Sequence, residues 1–86
     1  MQLSINQIWR DRDGDMWRIV ALQLNSPTAW STGTAGEFAS ADTAHLQVIC
    51  NKLNRRNLQP IKTMQRVQND SLLEQIRKGQ AQEVTQ

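Results

Sequence analysis

The chain has 86 residues, and Leu, Ile, Val and Phe make up 19 of them, about 22%, just above the roughly 20% below which chains tend to stay disordered. That length allows one domain with a thin core, to which Trp9, Trp17 and Trp30 add large apolar surface. One cysteine and one histidine exclude both an internal disulfide and a structural zinc site, which needs four such ligands.

No stretch approaches the about 20 apolar residues that span a bilayer, and Met1 to Trp9 carries none of the marks of a secretory leader. The expectation is a soluble cytoplasmic protein with no membrane partner. The net charge of +2 is unevenly distributed. Residues 1–42 carry three basic and five acidic side chains, whereas residues 43–86 carry seven and three. Within 43–69, Lys52, Arg55, Arg56, Lys62 and Arg66 occur with no acid among them. Amides are also abundant, with 11 Gln and 6 Asn.

The first predicted element is a hairpin. Gln7 to Arg10 and Met16 to Leu22 are rich in β-formers and flank Asp11-Arg12-Asp13-Gly14. Asp11 suits the first position of a type I turn and Gly14 a positive φ in the adjoining bulge. That turn sets Trp9 opposite Trp17, whereas a two-residue turn at Asp13-Gly14 sets Trp17 opposite Arg10. The segment Trp9 to Arg18 loosely resembles the opening of small SH3-like barrels, over the hairpin alone. Pro27 ends the second strand because it has no amide proton to donate. Short strands are expected over Thr28 to Ser31 and Glu37 to Ala39.

Next comes a predicted helix from Ala41 to Arg56. Ser40 serves as its N-cap and Asp42 as a first-turn carboxylate, and Leu46, Ile49, Cys50 and Leu53 recur at i, i+3, i+4 and i+7. Asn57 suits a left-handed C-terminal residue, Leu58 would touch Leu53, and Pro60 bars continuation. Pro60 to Val67 carries two patterns, Ile61, Thr63 and Val67 suiting a strand and Ile61, Met64 and Val67 recurring every three residues, and of these the extended strand is favoured. Ser71 and Glu74 match a capping box that opens a short helix near Leu72 to Lys78, with Gly79 after it. Residues 80–86 read as a frayed polar tail outside a single domain of residues 1–79. The expected fold is α+β: a small antiparallel sheet, the hairpin plus one or two further strands, packed on one main helix, with a short C-terminal helix.

No constellation of residues points to catalysis, a cofactor or a metal. Asp11, Asp13 and Asp15 alternate, but the spacing departs from a calcium loop, with Gly14 before the third acid and Leu22 at the twelfth position. Ser40, Asp42 and His45 are accounted for by capping and solvent exposure, and Cys50 by burial in the apolar seam. The functional expectation is a non-enzymatic protein-binding module or inhibitor, of the compact kind that phages and mobile elements encode. It would act on an acidic or nucleic-acid-handling partner through Lys52, Arg55, Arg56, Lys62, Arg66 and Trp30. The alternative is direct nucleic-acid binding through Lys52 to Arg66. A homodimer is a further expectation, since a thin core leaves apolar surface to bury.

Overall fold

The computed structural model describes residues 2–25, 30–31, 38–41 and 46–85. These form strands β1 (Gln2–Ser4), β2 (Ile8–Arg10), β3 (Met16–Asn25), β4 (Trp30–Ser31), β5 (Phe38–Ser40), β6 (Leu46–Leu53) and β7 (Val67–Gln68), helix α1 (Asp70–Arg77), and strand β8 (Gln82–Val84). The main sheet is antiparallel in the order β7-β6-β3-β2-β8, with β4 pairing the far end of β3, and β1 and β5 form a separate two-stranded ribbon. The protein is therefore mostly β.

The hairpin takes the type I register. Trp9 pairs with Trp17, the Gly14 amide donates to the Asp11 carbonyl (3.0 Å), the Asp11 amide donates to the Asp15 carbonyl (2.9 Å), and Gly14 has φ +88°. Because β-strand side chains alternate between faces, this pairing assigns both indoles to the inner face of the sheet and Ile8, Arg10, Met16 and Arg18 to the outer one. β3 keeps pairing to β6 up to Leu24↔Leu46, with a register shift between Ile19 and Ala21 that accommodates Val20. The strand ends at Asn25, two residues before Pro27.

The expected main helix over Ala41 to Arg56 is absent: Leu46–Leu53 is strand β6, and the α+β reading gives way to a largely β fold. The same eight residues carry two periodicities. Leu46, Ile49, Cys50 and Leu53 fit a helix, but Leu46, Val48 and Cys50 also alternate, and these three are buried in the main core while Leu53 is buried in the smaller outer cluster. Pairing with the long β3 decides between the two, and the β-branched Val48 and Ile49 suit the strand. Ser40 lies in β5 opposite Gln2, in place of a cap. Asp42 and His45 lie outside the described residues.

The expected helix stop is a chain reversal. The Leu58 amide donates to the Asn54 carbonyl and the Asn54 amide to the Gln59 carbonyl (both 2.9 Å). Pro60 bridges back to Leu53. The positive φ falls at Leu58 (+57°), one residue after Asn57. Between Pro60 and Val67 the chain makes a turn from Ile61 to Met64, and regular pairing resumes only at Val67–Gln68. Of the two short strands expected earlier, Trp30–Ser31 and Phe38–Ser40 are formed, while Thr28 and Glu37 lie outside the described residues.

The inner face forms the main core. Trp9, Trp17, Ile19, Leu22, Val48 and Cys50 pack beneath Leu72, Leu73 and Ile76 of α1, with Leu3 and Ala41 from the β1–β5 region. A smaller cluster of Ile8, Met16 and Leu53 lies on the outer face under Leu58 and Val84. Helix α1 starts earlier than a Ser71 cap implies: Asn69 is the N-cap and its side chain accepts from the Leu72 amide. Ser71 instead accepts from the Gln75 side chain (3.2 Å). At the other end Gly79 has φ +73° and donates to the Ile76 carbonyl, as a C-terminal glycine does. The segment expected as a frayed tail contains β8, which pairs with β2 through Ile8↔Val84, Trp9↔Glu83 and Arg10↔Gln82.

The change of cap has a measurable consequence. Asn69→Ala is expected to destabilise the protein by about 1 kcal/mol, and Ser71→Ala by clearly less; urea denaturation of the two variants reads the difference. Equal losses would restore Ser71 to the cap.

Candidate functional site

The basic segment singled out in the sequence folds around the open end of β6. Lys52 is the penultimate residue of the strand, and Arg55 and Arg56 lie in the turn after it. The chain then returns alongside β6, where the Ile61 amide donates to the Lys52 carbonyl and the Lys52 amide to the Met64 carbonyl. Lys62 is thereby placed beside Lys52. The Arg66 amide donates to Asn51 Oδ1 (2.9 Å), which places Arg66 at the outer edge of the sheet with φ +54°. Arg56, Lys62 and Arg66 are exposed. Trp30 is described in its backbone, as part of β4 opposite Asn25.

Two of the five cations are engaged within the chain. Arg55 reaches across to the hairpin tip, where its guanidinium donates to Asp15 Oδ1 (2.8 Å) and to the Asp13 carbonyl (3.2 Å). Lys52 Nζ lies 3.9 Å from Asp15 and 5.9 Å from the centroid of the Trp17 ring, within cation–π range. The hydrogen bond to Asp15, and the negative charges of Asp15, Asp11 and Asp13, hold Arg55 above its usual pKa. The Arg55 side chain is 61% exposed, so this contact orients the two loops more than it stabilises the fold. The acidic tip of the N-terminal half thus sits against the basic segment of the C-terminal half. The charge separation seen along the chain is partly cancelled in space.

The alternating aspartates form no cation cage. Asp11 Oδ1 accepts the amides of Asp13 and Asp15, and its Oδ2 accepts Trp17 Nε1 (3.0 Å). Asp15 faces Arg55 and Lys52. Among the described residues no group of three or more His, Cys, Asp or Glu side chains is placed to hold a metal ion. Cys50 is fully buried, and desolvation pushes its thiol up to about 12 from 9.0. No described helix is long and apolar enough to cross a membrane.

The sequence reading passed over two arginines. Arg10 and Arg18 lie outside the basic segment, yet the Trp9↔Trp17 register puts both on the outer face of the sheet. Arg18 stands between Ile8 and Asn51. Its Nε is shielded from water and has no hydrogen-bond partner among the described residues. The signal that could have found them is the two-residue alternation within the hairpin itself, since any residue adjacent to an inward Trp must point outward.

No known protein family, curated protein or solved structure matches this chain.

Two outcomes follow from the tip and the thiol. Asp11→Ala removes the acceptor of two turn amides and one indole, and is expected to cost about 2 kcal/mol, read as a lower urea midpoint with an unchanged slope. Cys50 is expected to resist iodoacetamide at pH 8 in the folded protein and to react once urea unfolds it. Because the folded thiol keeps its proton while the unfolded one ionises near 9.0, its contribution to stability is complete below that pH and is lost as pH rises toward about 12. Rapid labelling of native Cys50 would contradict this.

Proposed function

We propose that this chain is a non-enzymatic protein-binding module that meets an acidic surface of a partner protein through the exposed cations Arg56, Lys62 and Arg66. The observation that carries the reading is the engagement of Lys52 and Arg55 by Asp15. It converts the one uninterrupted basic run of the sequence into a surface of mixed sign. Binding to a nucleic-acid backbone draws its affinity from many phosphate neutralisations at once. A surface with three exposed cations beside an aspartate-rich tip offers few. Complementarity of alternating sign is what steers one protein to another.

The amides support the same reading. Asn54 and Asn57 Oδ1 accept the amides of Arg56 and Gln59 (2.8 and 2.9 Å), which braces the turn that carries Arg56. The cation is thus presented from an ordered loop, which lowers the entropy lost on docking.

Direct nucleic-acid binding is the competing outcome. Fluorescence anisotropy with labelled single- and double-stranded DNA and RNA at low salt is expected to show no saturable binding. Binding whose affinity falls steeply with salt, and whose slope flattens in the Arg56→Glu/Lys62→Glu/Arg66→Glu variant, would overturn the proposal. In parallel, a stoichiometric protein captured by the wild-type chain should be lost by that variant and retained by Arg77→Gln.

A further inference from the structure

We propose that the outer face of the sheet, centred on Arg18, docks an acidic and partly apolar segment of the partner, with a partner carboxylate on the Arg18 guanidinium. The inference rests on the protein-binding reading above and assigns it a second, specific surface.

Arg18 is an unusual residue to find without a partner. It is half-buried as the third residue of the longest strand, its Nε is shielded from water, and that Nε has no hydrogen-bond partner among the described residues. Nor does it take part in an ion pair with any described residue. A desolvated donor left unpaired costs free energy in the isolated protein. That cost is recovered when an acceptor arrives, and a guanidinium matches a carboxylate through two parallel bonds.

The strand positions around Arg18 carry one sign. Across the strands the row through Arg18 runs from Val84 and Ile8 to Asn51, with Arg66 beyond it. Arg10 lies on the same face one row away and is exposed. The pleat sends the acids elsewhere. Glu83 is opposite Trp9 on the inner side, and Asp15 is turned to Lys52 and Arg55. Among the described residues of β2, β3, β6 and β8, no Asp or Glu shares the outer face with Arg18; at the β7 edge Asp70 is occupied by Nε2 of Gln68 (3.0 and 3.1 Å), the residue opposite Ile49. Charge complementarity therefore selects an acidic occupant.

The apolar part of the face selects protein over nucleic acid. Ala21 and Ile49, paired on the outer face beyond the register shift, are half-exposed. They are aliphatic neighbours for a side chain. Binding of unpaired nucleic acid relies on aromatic platforms for its bases. Here Trp9 and Trp17 are both on the inner face and are 1% and 8% exposed.

The test is a titration followed by NMR of the backbone amides and of the Arg18 Nε–H resonance, which shielding from water keeps observable. The probes are a synthetic peptide alternating glutamate and leucine, and oligothymidylate. The peptide is expected to shift the Arg18 Nε–H and the amides of Ala21 and Ile49 in a saturable way. Arg18→Met should weaken the peptide by about tenfold, the loss of one charge-assisted pair, while leaving the melting temperature equal or higher because an orphaned donor is gone. A fall of several degrees would make Arg18 a structural residue and overturn the proposal. Arg10→Gln, at an exposed position, supplies a second variant and should weaken the peptide by a smaller factor. Absence of saturable shifts on this face overturns the proposal. If shifts are confined to residues 54–66, the face is excluded while the protein-binding reading stands. Stronger shifts with oligothymidylate than with the peptide overturn both.

Discussion

The pairing of Trp9 with Trp17 is the constraint on which the rest of the structure depends. Both indoles are buried in the same layer, and both keep a hydrogen bond there. Trp9 Nε1 donates to Gln7 Oε1 (2.9 Å) and Trp17 Nε1 to Asp11 Oδ2 (3.0 Å). Each acceptor has a second task in a turn: Gln7 also accepts the Ser4 amide, and Asp11 accepts two amides of the hairpin tip. The turns at both ends of β2 are therefore tied to the rings that the strand buries. A slip of one residue would turn both rings outward and leave these acceptors without their donors.

From that register the two faces acquire different characters. The inner face holds the aliphatic core and receives α1, and the outer face receives Ile8, Met16, Arg10 and Arg18. Helix and hairpin are also joined directly. The buried Gln75 of α1 accepts the Arg12 amide (2.9 Å) and donates to Ser71, so a polar side chain inside the core makes full use of its burial. Arg77 of the same helix donates to the Ala41 carbonyl.

The abundance of Gln and Asn, without explanation in the sequence alone, has a physical role in this fold. Strands of two or three residues leave many backbone amides in turns, where no ladder satisfies them. Asn51, Asn54, Asn57 and Asn69 each accept one such amide, and Gln7 and Gln75 do the same. An uncharged acceptor does this work without adding to the electrostatic field of a small surface. The charges can then be kept for the clasp between Asp15 and Arg55 and for the cations that remain exposed.

Local features of the sequence determined the hairpin and narrowed its turn to two registers, because Asp11, Gly14 and two flanking tryptophans act within a few residues of one another; the fold decides for the one that pairs Trp9 with Trp17 and buries both rings. The end of β3 before Pro27 and the end of α1 at Gly79 were legible for the same reason: proline and glycine restrict or free the backbone wherever they stand. The state of Leu46 to Leu53 was not legible, since its apolar residues satisfy a helical and a strand period together, and only a ten-residue partner strand lying alongside decides between them. The same holds for the residues after Gly79, which have no apolar pattern of their own and become a strand because β2 presents an open edge. It holds as well for the candidate sites. Lys52 and Arg55 read as part of a basic run until the fold brings Asp15 against them, and Arg10 and Arg18 become neighbours on one surface only through pairing across the hairpin. Non-local pairing sets which charges meet, and a linear sequence records it only indirectly.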